Sequence, residues 1–186
     1  EAHGHQAVWT RAEQPNGTSR VEESDEELGG EAGVIVNVQG DEPEIDPALI
    51  DRLVDRLDAG EEPMATVVAP FGADEDVRNP NVVKAVIDHR GRAIYFSRSV
   101  VPHQRDPRAE RPGYLKHLGI YAYRRSFLPI YAGLPSTPAE TAEQLEQLRA
   151  IEHGYAIAVV TADHAHPGID TREQYEAFVR RFRDGR

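Results

Sequence analysis

The sequence predicts an α/β fold with a partly antiparallel sheet, and three observations lead to that prediction. Residues 34–38 form a β-branched, nearly all-apolar run, which is typical of a strand covered on both faces of a parallel sheet. A helix follows, with Asp46 as its N-cap, Pro47 in its first turn and apolar residues at helical spacing until Gly60. Residues 82–87 and 93–97 flank a turn at 88–91, so this part of the sheet is predicted to be a hairpin.

The rest of the chain continues the alternation of strands and helices. Apolar runs predict further strands at 64–69, 94–97, 118–123 and 157–161. Apolar stripes at helical spacing predict helices at 141–153 and 171–182. The acidic, Gly-rich segment 22–33 and the Arg-, Asp- and Pro-rich segment 103–113 are predicted to be solvated loops. With no internal repeat and no linker, residues 1–186 are predicted to form one domain.

Composition excludes several classes of function. The formal net charge of -11 argues against a nucleic-acid-binding protein, because such proteins depend on clustered Lys and Arg. The absence of cysteine excludes disulfides, thiolate nucleophiles and Cys-type zinc sites. No apolar run predicts a membrane span and no signal-peptide pattern opens the chain, so a cytoplasmic location is predicted. The chain starts at Glu1 within what looks like the middle of a domain, which suggests an incomplete N-terminus.

Two aspartates stand where ligands of α/β sheets bind. Asp41 follows the 34–38 strand directly, and its carboxylate suits a hard cation such as Mg²⁺, although a plain strand-to-helix turn explains it equally well. Asp170 precedes the last helix and is a second candidate. Local evidence alone favours an N-cap there, because Thr171 and Gln174 fit a capping box.

Two other sets of residues have simpler explanations. Several histidines and one aspartate resemble a metal cluster, but they are more typical of solvated loops: His3, His5, Asp163, His164 and His166. Four basic residues are too scattered for a nucleic-acid surface, although a few could face an acid sugar: Arg98, Lys116, Arg124 and Arg125.

Four motifs in the same order resemble the 3-deoxy-manno-octulosonate (KDO) cytidylyltransferase family. They are residues 34–43 (VIVNVQGDEP), 95–98 (YFSR), 117–124 (HLGIYAYR) and 145–149 (LEQLR). Residues 79–84 (NPNVVK) and 168–171 (GIDT) fit the same pattern, so the resemblance extends from about Trp9 to Phe182. It implies a nucleotide-diphospho-sugar transferase-like, Rossmann-like mixed sheet with flanking helices. It also implies transfer of CMP from CTP to KDO, for lipopolysaccharide biosynthesis, by a Mg²⁺-dependent cytoplasmic homodimer.

The resemblance also implies roles for individual residues. Asp41 and Asp170 become the catalytic Mg²⁺ ligands, which leaves the N-cap to Thr171. One group matches positions around the sugar: Arg98, His117, Tyr121, Glu146 and Gln147. Another matches the nucleotide-facing region: Gly17, Thr18, Arg20 and Gln39.

Three features depart from the family pattern. Ser19 replaces an acidic residue, which is expected to leave Arg20 less firmly oriented, and Ala139 replaces a leucine. The phosphate-binding segment Arg-x-x-Ser-x-Arg-Leu-Pro-x-Lys does not occur in these 186 residues. We therefore expect the first strand, phosphate loop and following helix to be lacking, and the chain by itself to be inactive. A cytidylyltransferase for another acid sugar, such as a sialic acid, and a non-catalytic sugar-binding remnant are the alternatives.

Overall fold

The computed structural model describes residues 4–14, 17–40, 43–106, 108–110, 112–163, 168–169 and 171–184. Its elements in chain order are α1 (Gly17–Leu28), β1 (Val34–Asn37), α2 (Pro47–Asp58), β2 (Met64–Pro70), β3 (Lys84–Ile87), β4 (Ala93–Ser97), β5 (Leu115–Arg124), α3 (Leu128–Ala132), α4 (Pro138–Glu143), α5 (Leu148–Glu152), β6 (Ile157–Thr161) and α6 (Arg172–Asp184).

The long strand β5 organises the sheet. It pairs antiparallel with β2 along one edge, and β2 pairs in parallel with β6. The other edge of β5 is shared, because β3 pairs with its start and β1 with its end. β4 pairs antiparallel with β3. The predicted mixed α/β sheet is thus confirmed, and so is the hairpin.

Apolar side chains are buried on both faces of this sheet. On one face Leu49, Leu53 and Leu57 of α2 pack against small and β-branched residues of β2, β5 and β6. Asp46 caps α2 as predicted, since its Oδ1 accepts a hydrogen bond of 3.0 Å from the Ala48 N–H. The other face carries the larger cluster, which contains most of the buried aromatic rings. The strand and its amphipathic helix are therefore where the sequence predicted them. β1 is only half-buried, however, and it pairs antiparallel with β5, so the prediction of a strand covered on both faces of a parallel sheet was wrong.

The acidic segment 22–33 is mostly helical, so the loop predicted there was wrong up to residue 28. α1 begins at Gly17 and buries Thr18 and Ser19. Its charges stay on the outer surface, where Asp25 accepts a 2.8 Å hydrogen bond from Arg125. Tertiary contacts with α3 outweigh the repulsion between the neighbouring carboxylates. Only the Gly-rich end of the segment remains a loop.

The single helix predicted over 141–153 is two short helices, α4 and α5. The chain breaks at Gln144, whose φ of 53° lies in the left-handed region. Arg98 stabilises the break, because its Nε donates to the Glu143 carbonyl at 2.7 Å. Tyr131 Oη donates to the Glu146 carbonyl at 2.8 Å. Carbonyl groups that a continuous helix would pair are satisfied by side chains instead.

Replacing Gln144 by Gly is expected to stabilise the fold by about 0.5–1 kcal/mol, because a left-handed φ is costly for a residue with a Cβ. Urea unfolding monitored by circular dichroism measures the change. Ala142→Gly is the matched control, because Ala142 lies two residues earlier, inside α4. This substitution should lower the free energy of unfolding by a similar amount. Destabilisation by Gln144→Gly would contradict the left-handed assignment.

The last helix begins as predicted. Thr171 and Gln174 form a reciprocal capping box, with Gln174 N–H donating to Thr171 Oγ1 at 3.2 Å and Thr171 N–H donating to Gln174 Oε1 at 2.8 Å. The predicted apolar stripe is only partly covered within the described residues, since Tyr175 and Phe182 are exposed. None of the helices in the described part of the chain has the length and apolarity needed to cross a membrane.

Candidate functional site

An irregularity in the middle of the sheet creates the candidate site. Thr66 pairs with Tyr121 and Val67 with Leu118, so Gly119 and Ile120 form a bulge on β5. The Thr66 hydroxyl holds this bulge by donating to the Ile120 carbonyl at 2.8 Å. On the opposite edge, β3 and β1 pair with the two ends of β5 and diverge at its middle. A cleft therefore opens beside the centre of the sheet.

A narrow cavity of about 40 Å³ lies at this cleft, close to the volume of one water molecule. The cavity is therefore too small to enclose a molecule of the size of a sugar or a nucleotide. Five separate parts of the chain line the cavity: the start of α1, the end of β1 with the residues that follow it, the end of β5, α3, and the break between α4 and α5. The lining residues are Gly17, Thr18, Asn37, Gln39, Tyr121, Tyr123, Tyr131, Glu146 and Gln147.

Six of these nine residues were predicted as site residues from the sequence: Gly17, Thr18, Gln39, Tyr121, Glu146 and Gln147. The structure brings them together from positions far apart in the chain. The sequence analysis missed Asn37, Tyr123 and Tyr131. A signal was present for Asn37, because it is the polar residue in an otherwise apolar strand. The two tyrosines had no such signal, since buried aromatic residues usually belong to a core.

The carboxylate of Glu146 lies against the first turn of α1. It accepts hydrogen bonds from both the hydroxyl and the backbone N–H of Thr18. The Thr18 hydroxyl is also 3.4 Å from Tyr123 Oη. Burial raises the pKa of Glu146, while the Thr18 hydrogen bonds and Arg149 act in the opposite direction. The start of α1 thus provides the amide and hydroxyl groups that hold a buried acid in the cavity wall.

Two polar atoms in the cavity wall have no hydrogen-bond partner among the described residues. They are Glu146 Oε1, an acceptor, and Gln147 Nε2, a donor. Gln147 is only 4% exposed, so solvent does not readily satisfy its amide. An unsatisfied buried polar group costs about 1–3 kcal/mol, so each one in a native structure calls for an explanation, such as an ordered water or a functional role. An adjacent acceptor and donor suit a ligand that carries several hydroxyl groups.

A stack of tyrosine rings forms the floor of the cavity. The ring centroids of Tyr121 and Tyr123 are 6.0 Å apart, and those of Tyr123 and Tyr131 are 5.9 Å apart. Burial raises the pKa of all three phenols, so they remain neutral in the physiological range. The floor is therefore a rigid, uncharged surface.

His117 lies beside this floor but does not line the cavity. Its ring is 4.9 Å from that of Phe96 and 5.4 Å from that of Tyr121, measured between centroids. The His117 Nε2 atom is 2.9 Å from the Thr66 hydroxyl, which already donates to Ile120, so His117 is the donor in that contact. Burial lowers the pKa of His117 to about 3, so the ring is neutral. Its predicted contact with a sugar stays a prediction.

The two predicted arginines lie away from the cavity. Arg98 donates to the carbonyls of Pro80, Glu143 and Gln144. Arg20 donates to the Thr10 hydroxyl at 2.9 Å and to the carbonyls of Arg11 and Ala12. Three acceptors therefore hold Arg20 without an acidic residue at position 19, and the expectation that it is less firmly oriented than in relatives that carry the acid stays a prediction.

The predicted metal ligands Asp41 and Asp170 lie outside the described residues, as do His3, His164 and His166. Within the described residues, no cluster of three His, Asp or Glu side chains is arranged to hold a metal ion. The elements next to the two aspartates are linked, since Arg181 of α6 forms an ion pair with Glu44, which precedes α2.

A second depression adjoins the cavity on the other side of Glu146. Its volume is about 480 Å³, and its lining residues are Ser136, Glu140, Thr141, Gln144, Leu145, Glu146 and Arg149. Its cation is already neutralised, because Arg149 Nε donates to Glu140 at 3.0 Å in a buried ion pair. Of the predicted site residues, this depression contains Glu146 alone.

The neutral, buried His117 predicts a pH dependence of stability. A histidine with a native pKa near 3 takes up a proton only on unfolding. The contribution of His117 to the free energy of unfolding is therefore fully present above its unfolded-state pKa of about 6.5, and it is lost progressively as the pH drops below that value. Between pH 6.5 and pH 5.5, protonation of His117 in the unfolded state should lower the free energy of unfolding by about 1 kcal/mol. Urea unfolding of wild type and His117→Asn at both pH values measures the difference. Equal pH slopes in the two proteins would contradict it.

Comparisons with known proteins identify the family of the chain. A family model described as cytidylyltransferase matches residues 1–157. The chain is 46% identical over 179 residues to 3-deoxy-manno-octulosonate cytidylyltransferase of Syntrophobacter fumaroxidans, covering 95% of this chain and 71% of that protein. It is 40% identical to the enzyme of the same name from Halorhodospira halophila, covering 98% of this chain and 75% of that protein.

Solved structures give the same result. CMP:2-keto-3-deoxy-manno-octonic acid synthetase, solved in complex with CTP, superposes with a TM-score of 0.91 at 38% identity, covering all of this chain and 75% of that one. The inositol-1-phosphate CTP transferase of T. maritima superposes with a TM-score of 0.55 at 13% identity, over 91% of this chain and 62% of that one, which shows a shared fold alone. The chain belongs to the 3-deoxy-manno-octulosonate cytidylyltransferase family.

Proposed function

We propose that this chain functions in the transfer of CMP from CTP to KDO, giving CMP-KDO and pyrophosphate, and that it does so only together with the phosphate-binding segment that does not occur in these 186 residues. The observation that carries the proposal is the convergence, in one cavity wall, of six residues predicted for the nucleotide and sugar sites. They come from four segments, so their meeting is a property of the fold rather than of any one motif. The names of the related proteins supply the substrates.

The nucleotide is proposed to bind at the start of α1 and the end of β1. Gly17 and Thr18 present the first turn of a helix, and Gln39 supplies an exposed amide beside Asn37. Amide side chains and backbone groups can hydrogen-bond the edge of a cytosine ring. Arg20 supports this region by fixing residues 10–12 against α1, which makes it a positioning residue in the proposal.

The acid sugar is proposed to bind over the tyrosine floor. Glu146 Oε1 and Gln147 Nε2 offer an acceptor and a donor to its hydroxyl groups. Tyr121 and the neighbouring His117 provide polar groups on rigid rings. Two polar atoms with no partner in the described structure match a polyhydroxylated substrate better than an apolar one.

Asp41 and Asp170 are proposed to hold Mg²⁺. Two carboxylates suit this ion, which prefers oxygen ligands. In the sequence Asp41 comes shortly before Glu44, and Asp170 comes shortly before α6. The ion pair between Glu44 and Arg181 of α6 links these two parts of the chain. When bound, the ion would neutralise the triphosphate and stabilise charge on the reacting oxygens. The chain's own part in the reaction is to orient the two substrates.

In the proposed reaction the anomeric C2 hydroxyl oxygen of KDO attacks the α-phosphorus of CTP. A bond forms between that oxygen and the α-phosphorus, and the bond from the α-phosphorus to the bridging oxygen of pyrophosphate breaks. The hydroxyl proton passes to solvent, and pyrophosphate leaves with the bonding electron pair. Positioning and electrostatics carry most of such a transfer. The rigid floor and buried acid supply the positioning.

The product would serve as the activated sugar for lipopolysaccharide biosynthesis. We propose a cytoplasmic homodimer that acts on small molecules, with no nucleic-acid or membrane partner. The net charge of -11 supports the absence of a nucleic-acid partner.

The test measures pyrophosphate release from CTP with KDO and Mg²⁺. It uses this chain of 186 residues and a fusion that adds a relative's phosphate-binding segment, so that a missing segment is distinguished from a wrong reaction. Sialic acid replaces KDO in parallel assays. We expect KDO-dependent turnover by the fusion, which is called the active form below, and none by the 186-residue chain alone.

Turnover with sialic acid but not KDO would support the other acid-sugar enzyme, which the names of the related proteins do not favour. No turnover by either folded form, with binding of KDO retained, would support the non-catalytic sugar-binding remnant. Both outcomes would contradict the proposal.

A further inference from the structure

We propose that the buried ion pair of Glu140 and Arg149 keeps the carboxylate of Glu146 ionised in the cavity wall, an inference that rests on the proposed function. An ionised carboxylate accepts hydrogen bonds through both oxygens, whereas the protonated acid replaces one of these acceptors by a hydroxyl donor. Neither Glu140 nor Arg149 lines the small cavity. Their effect on a ligand there passes through Glu146, which makes both of them positioning residues.

The ion pair is buried and joined at two points. Arg149 Nε donates to one carboxylate oxygen of Glu140 at 3.0 Å, and Arg149 Nη2 donates to the other oxygen. Only 8% of the Arg149 side chain and 12% of the Glu140 side chain are exposed. Apolar residues of similar volume are often as stabilising as a buried ion pair, or more so. Stability alone is therefore a weak explanation for these two charges.

Further contacts fix the position of each partner. Glu140 also accepts hydrogen bonds from the Ser136 hydroxyl at 2.9 Å and from the Thr137 N–H at 3.1 Å. The guanidinium of Arg149 lies over the ring of Tyr131, with its Cζ atom 5.8 Å from the ring centroid. The arginine thus reaches from the carboxylate on α4 to the tyrosine floor of the cavity, and its charge has a defined place.

Glu146 lies between this ion pair and the cavity. It lines the depression of about 480 Å³ together with Glu140 and Arg149, and it also lines the cavity. The backbone N–H of Arg149 donates to the Glu146 carbonyl at 3.1 Å, and the Tyr131 hydroxyl donates to the same carbonyl at 2.8 Å. A single turn of the chain therefore carries both the acid and the cation.

The other elements that pack against Glu146 bring neutral groups. Tyr121 and Tyr123 of β5 and Tyr131 of α3 face this acid, and burial raises the pKa of each phenol, so the rings carry no charge in the physiological range. Thr18 of α1 supplies hydrogen bonds without a charge. The ion pair on α4 and α5 is thus the source of charge beside the acid among these groups.

The two charges of the pair act on Glu146 in opposite directions. Burial raises the pKa of Glu146, and the Thr18 hydrogen bonds and the charge of Arg149 lower it. Glu140 raises the pKa of Glu146 by less than Arg149 lowers it. Although the pair is neutral as a whole, it therefore favours the ionised form of the acid.

Replacing both partners by neutral residues tests the charge of the pair. At about pH 6, Glu140→Gln/Arg149→Met in the active form should lower kcat/KM for KDO about threefold or more, because less of Glu146 is ionised. At about pH 8.5 the acid is ionised in both proteins, and the difference should be less than about twofold. The KM for CTP should stay within about twofold at both pH values, since the nucleotide is proposed to bind at the other end of the cavity.

Two single substitutions separate charge from shape, and they carry the test if the double variant does not fold. Glu140→Gln keeps Arg149 and removes the charge that opposes ionisation of Glu146, so kcat/KM for KDO at about pH 6 should equal or exceed that of wild type. Arg149→Lys keeps the positive charge and should retain the wild-type pH profile. A loss at this pH in both single variants would show that the shape of the pair matters rather than its charge, and would overturn the inference.

The ion pair of Arg56 and Glu62 is the matched control. It is also joined at two points, each at 3.1 Å, and neither residue lines the cavity. Thermal unfolding is recorded for every variant, and kinetics are measured well below each midpoint. Glu62→Gln/Arg56→Met should leave the pH dependence of kcat/KM for KDO unchanged. A loss at low pH equal to that of the test variant would show an effect of any broken ion pair and would contradict the inference.

Titration of Glu146 by NMR gives a readout that does not depend on activity. In protein labelled at the carboxyl carbons of glutamate, the signal of Glu146 is the one that disappears in Glu146→Gln. Its titration midpoint should move to higher pH in Glu140→Gln/Arg149→Met and to lower pH in Glu140→Gln. Absence of turnover in the wild-type active form would contradict the proposed function alone. An unmoved midpoint in the double variant would contradict the inference, whatever the turnover.

Discussion

Replacing Asp41 by Asn is expected to reduce kcat for CMP transfer by about 10²- to 10³-fold, the range typical for loss of one electrostatic group at a reacting centre. Asn keeps the size and the turn-forming tendency of Asp but removes the negative charge that suits a hard cation. The measurement is pyrophosphate release by the active form as Mg²⁺ is varied. A weaker apparent affinity for Mg²⁺ should accompany the loss of rate.

Asp46→Asn is the matched control for this substitution. Asp46 lies five residues later and caps α2 through its side chain, a role that Asn fills equally well. The control removes one carboxylate from the same loop and should keep full activity. Equal losses in both variants would show that the general negative charge of the loop matters, and retained activity in Asp41→Asn would remove Asp41 from the proposed metal site.

The strands and helix caps were predicted most accurately where the local sequence pattern and the burial of the residues agree. The β6 prediction matches the observed strand at both ends, and the predicted strand at 34–38 is one residue longer than β1. Four of the five residues of β6 are buried, so the apolar pattern and the environment carry the same information there, whereas β1 is an apolar run that is only half-buried. The N-caps Asp46 and Thr171 were equally predictable from the sequence, because a capping side chain accepts a hydrogen bond from the backbone of the helix that follows it.

Prediction failed where distant contacts determine the backbone. Segment 22–28 looks like a solvated loop, yet contacts of α1 with Arg125 and α3 make it a helix. The apolar stripe of 141–153 is compatible with one helix, and no local feature reveals that Arg98 will hold the carbonyl groups at 143–144. Tertiary hydrogen bonds outweigh propensity in both places.

The candidate site was predictable through its polar members. Residues such as Glu146 and Gln147 stand out in an apolar stripe and match a family motif, whereas Tyr123 and Tyr131 look like ordinary core residues. Motif matching could not show that Arg98 turns away from the cavity, because a motif carries residue identity without side-chain direction.

Replacing Glu146 by Gln is expected to lower kcat/KM for KDO by about 10- to 100-fold, as for loss of a hydrogen bond to a charged group. Gln fills the same space, but it replaces one carboxylate oxygen by an NH₂ group that cannot accept. Steady-state kinetics with varied KDO measures the effect. The KM for CTP should change little, because the nucleotide is proposed to bind at the other end of the cavity.

The same substitution should not destabilise the fold. Burial raises the pKa of Glu146, so ionising this group costs the folded state stability as the pH rises through that pKa. Gln carries no such cost, and its unfolding midpoint at neutral pH should equal or exceed that of wild type. Glu152→Gln, on an exposed carboxylate of α5, is the control and should retain activity. A stable Glu146→Gln protein with reduced kcat/KM would show that the buried charge serves binding rather than folding, whereas full activity would remove Glu146 from the site.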